Sequence, residues 1–310
     1  MRAVHADWSV DPRKRWMVRA DRRSEGWWID APEPVGDVGT LFARLRAGGG
    51  PVALGVDLPL GLPRSYAEKH VQEPDFITFL RALAGRPEFF AVGPDLAAVA
   101  PGRPFYPARG IAGMTRAAHA ARLGFAAAAD LSRLCDRATA TRPAGAPLFW
   151  TLGANQTGKA AISAWRDMIV PALAGDAPPA LWPFMGDLCG LLARHDLVLA
   201  ETYPAEAMRH LGISTRGSKR RQSDRVAAAE GLRVAIGRLG ARVSQAMDAC
   251  MTNGFGADAA GEDRFDATIG VLGVINVLMG NRPDGIPDDA ALRRWEGWVL
   301  GQTDLPVAKD

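Results

Sequence analysis

The first thirty residues constrain the fold most. In "VHADWS" the apolar Val4, Ala6 and Trp8 alternate with His5, Asp7 and Ser9, the period-2 pattern of a strand. The turn "DPRK" separates this run from "RWMVRA", and "DRRSEG" separates that in turn from "WWIDAP". Connections this short join antiparallel neighbours, so the chain is predicted to open as a three-stranded meander.

The rest of the chain must extend or cover that sheet. Residues 38–47 read as a helix with Leu41, Phe42 and Leu45 at core spacing, ended by three glycines. "PVALGVDLPLGLP" reads as a buried strand stopped by Pro59 and Pro63. The chain then turns helical and alanine-rich, with residues 116–138 the clearest helix, until "DLVLAETYP" restores the strand pattern. After the basic loop "TRGSKRRQSDR", a long helix is expected over residues 226–239 and a last one from near Glu262. The expected fold is an α/β core of residues 1–63 and 196–310, three antiparallel strands then parallel ones, with a mainly helical insertion at 64–195.

Composition permits such a core and limits the rest. At 310 residues and 48% hydrophobic content the chain has apolar material for one large or two ordinary domains. It has no apolar run long enough for a bilayer and no signal-like start, so a cytoplasmic protein without a membrane partner is expected. Cys135, Cys189 and Cys250 are odd in number and far apart, which argues against a disulfide framework or a zinc knuckle. A net charge of +3 permits a nucleic-acid partner without demanding one. The oligomeric state stays open, a dimer included.

Chemistry enters through acids in unfavourable places. Asp7 lies in the first strand, Asp57 ends an apolar strand, Glu201 ends another, and Asp263 and Asp266 begin a glycine-bearing apolar helix. A carboxylate among buried strands is costly unless a cation compensates it. Converging carboxylates are hard-oxygen ligands for Mg2+ or Mn2+. Each acid also has a plainer use: Asp7 at a sheet edge, Asp57 in a turn, Asp263 and Asp266 complementing the helix dipole. Glu201, directly after "LVLA", is the hardest to explain that way. Asp263 and Asp266 share a helix face that Gly270 and Gly273 continue, which predicts a close approach to a neighbour.

The segments "ALGVDLPLGLP", "LAETYPAEAMRHLG", "SKRRQSDR" and "EDRFDATIGVLGV" resemble the predicted nuclease family known as domain of unknown function 429, and the order of elements resembles the ribonuclease H-like fold. That resemblance implies Asp7, Asp57, Glu201 and Asp266, with Asp263, as the metal-binding and catalytic acids of a two-metal nuclease using Mg2+ or Mn2+. It also gives weight to phosphate contacts from the basic run Arg216, Lys219, Arg220, Arg221 and Arg225.

Two other readings compete. The same core serves actin-like ATPases and sugar kinases, and "GANQTGK" (residues 153–159) is nearly a nucleotide-phosphate loop. Ala160 stands where that loop needs a magnesium-binding hydroxyl, so Lys159 at a helix start is better read as a contact for a nucleic-acid phosphate. A binding protein without catalysis is the third class. No esterase elbow or zinc-protease motif is present. His5 and the tryptophans Trp27, Trp28 and Trp182 are assigned to packing.

Overall fold

The computed structural model describes residues 1–110, 113–153, 157–215 and 217–307. The meander forms as expected: β1 (Arg2–Asp7) pairs antiparallel with β2 (Trp16–Arg23), which pairs antiparallel with β3 (Gly26–Ile29) and with the short β4 (Glu33–Pro34). On the other side of β1 the sheet turns parallel, through β5 (Val52–Val56), β7 (Leu197–Glu201) and β6 (Ala180–Leu181). Parallel β8 (Ala241–Val243) extends the far edge, giving the order β6-β7-β5-β1-β2-β3-β8. The result is a mixed α/β sheet flanked by helices.

The N-terminal alternation does not mean a half-exposed strand. Every residue of β1 is buried, His5 and Asp7 included, because β1 is central and covered on both faces. One cover is the helix Gly261–Leu278, which packs on β1, β2 and β5. Gly55 of β5 makes room beneath it: a Cβ there would meet Thr202 Cγ2 at 2.7 Å and Val274 Cγ2 at 2.8 Å.

The chain divides into two units. The first comprises Met1–Asp57, Pro179–Ile286 and Val299–Thr303 and contains the whole sheet. The division differs from the expected boundaries in four stretches: residues 58–63 and 304–307 fall in the second unit, and two longer stretches change place as well. Residues 179–195 belong with the sheet because β6 pairs with β7. Residues 287–298 belong to the second unit, where the Glu296 carboxylate accepts from the backbone N–H groups of Arg64 (3.0 Å) and Leu134 (2.6 Å).

The second unit, Leu58–Pro178 with Pro287–Trp298 and Asp304–Asp310, is built from short helices and 3-10 turns. Its core is aromatic, with Phe89 edge-on to Phe79, Phe105 and Phe149. The helix expected over residues 116–138 spans only Arg116–Arg122, since Gly124 takes φ +81° and the chain leaves the helical region. Likewise, the helix expected over 226–239 starts earlier and is broken at Ala228, into Gln222–Ala227 and Ala229–Arg238. Among the described residues no helix is long and apolar enough to cross a membrane.

Candidate metal centre

Sheet register places the first two acids. Ala6 of β1 lies opposite Val56 of β5, and the Asp57 N–H donates to the Ala6 carbonyl at 3.1 Å, so Asp7 and Asp57 continue the two strands side by side. Neighbouring strands are about 4.8 Å apart, and alternate residues share a face. Asp7 and Asp57 therefore point the way of His5 and Gly55, two residues earlier.

That face is the one under the acidic helix. A Cβ on Gly270 would lie 2.2 Å from two carbons of the His5 ring, so the helix can rest on the imidazole only because residue 270 is glycine. Gly273 makes the second close approach, to Ala207 of the helix Pro204–Leu211. The helix runs back against β1. Four helical residues rise about 6 Å and two strand residues about 6.6 Å, so Asp266 falls opposite Asp7 just as Gly270 falls opposite His5. Asp263 lies nearly one turn further on. Asp266 is in the second turn and is buried, so it does more than complement the helix dipole.

The charges of these groups reinforce one another. Burial, then Asp266, Asp57 and Asp263, hold Asp7 well above the usual carboxylate range. Burial and Asp266 push Asp57 up to about 7, against the pull of Lys219 and with a smaller push from Glu201. Asp263 is raised to about 6 by burial, with Lys14 opposing, and Asp266 is raised by burial with Lys219 opposing. Lys219 is ion-paired with Asp266 Oδ2 and stands 3.8 Å from Glu262. Burial works against its ammonium, yet Asp266, Glu262 and Asp57 hold it above the ordinary lysine value. Burial lowers His5 to about 3, so its ring is neutral and acts as packing.

Glu201 is beside this group rather than within it. It pairs with Val56, one row before Asp57, and by the alternation of a strand its side chain leaves the opposite face. Its charge still reaches Asp57.

The basic run separates into different roles. Arg225 is buried and donates to the carbonyls of Gly254 (2.8 Å), Gly256 (2.7 Å) and Lys219 (2.5 Å), so it is not open to a phosphate. The left-handed stretch Gly254, Phe255 and Gly256 precedes Gly261, where a Cβ would meet the Arg225 guanidinium at 2.3 Å. Arg225 thereby ties the Lys219 loop to the start of the acidic helix. Arg221 pairs with Asp224 at 2.7 Å, and the exposed Arg220 stands 3.7 Å from Glu262. Arg216 lies outside the described residues.

Residues 154–156 of "GANQTGK" also lie outside the described residues. Lys159 is on the helix Thr157–Ala164 of the second unit. The Gly158 N–H donates to Trp150 O at 3.3 Å, and a Cβ at 158 would meet the carbonyls of Trp150 and Leu148 at 2.8 and 2.9 Å. Gly158 is a packing glycine, and its N–H faces protein.

Sequence reasoning missed Lys14 and Glu262. Lys14 ends the 3-10 turn Pro12–Lys14 between β1 and β2, and its charge pulls Asp263 down. A basic turn that follows a strand-end acid so closely was the available signal, because a tight hairpin returns beside its own strand end.

The four aspartates suit a hard divalent cation in their chemistry. All the donors are oxygen, their charges repel, and Asp266 Oδ1 and Asp263 Oδ2 are buried without a hydrogen-bond partner. They stand open: among the described residues, no three of them bring oxygens within 4.8 Å of one another. The chain matches no family model, no curated protein and no solved structure.

Proposed function

We propose that this protein is a divalent-metal-dependent nuclease with a ribonuclease H-like sheet. The observation that carries this reading is the meeting of Asp7, Asp57, Asp263 and Asp266 at one end of the sheet, with buried carboxylate oxygens on Asp263 and Asp266 that have no hydrogen-bond partner among the described residues. Three antiparallel strands continued by parallel β5 and β7 agree with the fold that the resemblance implies.

Asp7, Asp57 and Asp266, with Asp263 beside them, are the residues to hold Mg2+ or Mn2+. When bound, such an ion activates water and stabilises the leaving oxygen of a phosphodiester. The protein's own part is to fix the acids at the ends of two strands and on a helix, whose close seat on β1 depends on the His5–Gly270 contact. Exposed cations would meet flanking phosphates: Lys14 on one side, Arg220 on the other.

The test is cleavage of a panel of single-stranded, duplex and branched DNA and RNA with Mg2+ or Mn2+. Asp7→Asn and Asp266→Asn are each expected to slow cleavage by at least about a hundredfold, ~2.7 kcal/mol of barrier, while nucleic-acid binding persists. ATP turnover in place of cleavage would turn the assignment to the actin-like and sugar-kinase class. Binding without either activity would leave a nucleic-acid-binding protein.

A further inference from the structure

Lys219 is placed as a competitor for the site. Its ammonium pairs with Oδ2 of Asp266, while Oδ1 of the same carboxylate, in a residue only 5% exposed, is buried without a partner. The ammonium satisfies half of a group whose other half points at unmet charge. The Lys219 charge faces Asp7, Asp57, Asp263, Asp266 and Glu262, with Glu201 nearby, while Lys14, Arg220 and the buried Arg225 add positive charge around them.

We propose that Lys219 is a tethered counter-ion, holding part of the divalent cation's place and exchanging with it when metal arrives. The proposal rests on the metal-site reading of the four aspartates. Three features make the exchange mechanically simple. Arg225 grips the Lys219 carbonyl at 2.5 Å, so the backbone stays while the four-carbon stem swings. Glu262, 3.8 Å from the ammonium, offers a second carboxylate outside the group of four. The Lys219 side chain is 37% exposed, so water is within reach. A divalent ion bound by several carboxylates at once outcompetes an ammonium that pairs with one.

The experiment is Mn2+ binding, by calorimetry or by the loss of the free-ion paramagnetic resonance signal, to the full chain and to Lys219→Met, Lys219→Arg and Asp7→Asn. Lys219→Met is expected to bind Mn2+ about tenfold more tightly or better, because a repelling neighbour has gone, and Lys219→Arg to stay near the parent. In the parent, acylation of Lys219 by acetic anhydride, followed by peptide mass spectrometry against Lys159, is expected to quicken when Mn2+ is added. This second readout needs no variant to fold. Equal or weaker Mn2+ binding by Lys219→Met, or acylation of Lys219 indifferent to Mn2+, would overturn the exchange while the metal site stands. Parent binding that Asp7→Asn leaves intact, or no Mn2+ binding by any of them, would overturn the site as well.

Discussion

At Asp57 the electrostatics become a measurable pH dependence. Its carboxyl titrates at about 7 in the fold against 3.8 ordinarily. The unfolded chain therefore loses this proton first as pH rises. The stability that protonated Asp57 contributes is full below about pH 4 and lost as pH climbs through about 7. Asp263 acts in the same direction, up to about 6. His5 and His210, held neutral down to about 3 and 4, act oppositely by costing stability as pH falls below the usual histidine range. Comparing Asp57→Asn with the parent isolates the carboxyl. In chelator, thermal melting from pH 4.5 to 8.5 should find the variant more stable at the alkaline end, by on the order of 1–3 kcal/mol, with the gap closing toward pH 4.5. Saturating Mn2+ should reverse the order, since the parent gains about 2.7 kcal/mol at a hundredfold excess over Kd and the variant gains less. A pH-independent gap, or a less stable variant in chelator, would mean that Asp57 has a structural partner. These acids were legible in the sequence because a carboxylate after an apolar run stands out. The division of labour among the cations was not: Arg225 and Lys219 read alike until three carbonyls are found around one and a carboxylate against the other.

The helix Gly261–Leu278 shows what glycine spacing can and cannot announce. Gly270 and Gly273 signalled a close approach, and the neighbours are the His5 ring and Ala207. Gly270→Ala sets two effects against each other. Helix propensity favours alanine by about 1 kcal/mol, but the new methyl would lie 2.2 Å from a ring that is itself fully buried and has nowhere to go. Overpacking of this kind costs roughly 1–3 kcal/mol, so the variant should unfold earlier in denaturant. Gly231→Ala is the control: it sits exposed in the helix Ala229–Arg238 with nothing within 4 Å, and should gain up to about 1 kcal/mol. If both glycines respond alike, the helix does not rest on His5. The failed expectation at residues 116–138 has the opposite cause. Alanine-rich composition argued for one long helix, whereas Gly124 in a left-handed conformation ends it and the next segment tightens into 3-10 turns at Ala128–Leu131 and Leu134–Asp136. Propensity summed along a window does not see where tertiary packing bends the chain.

Over the molecule as a whole, the sheet unit is assembled from three separate stretches of chain. Composition showed where the helical segment begins but not that residues 287–298 return to it, because the anchor is a carboxylate, Glu296, accepting from two distant backbone amides. The central position of β1 predicts the order of opening. In native-state hydrogen exchange the amides of β1 and β5 should be the slowest, exchanging only on global unfolding, while β8, bonded to β3 alone at the sheet edge, should exchange much faster. Equal protection of β8 and β1 would contradict this. The same interleaving has a consequence in time. Asp57 leaves the ribosome roughly two hundred residues before Asp266, an interval on the order of ten to forty seconds at about 5–20 residues per second. Until then a nascent chain carries Asp7 and Asp57 without the helix that covers them, with His5 and its row open to water. Its acidic cluster is complete only late in synthesis, once the helix Gly261–Leu278 has emerged to bring Asp263 and Asp266 to Asp7 and Asp57.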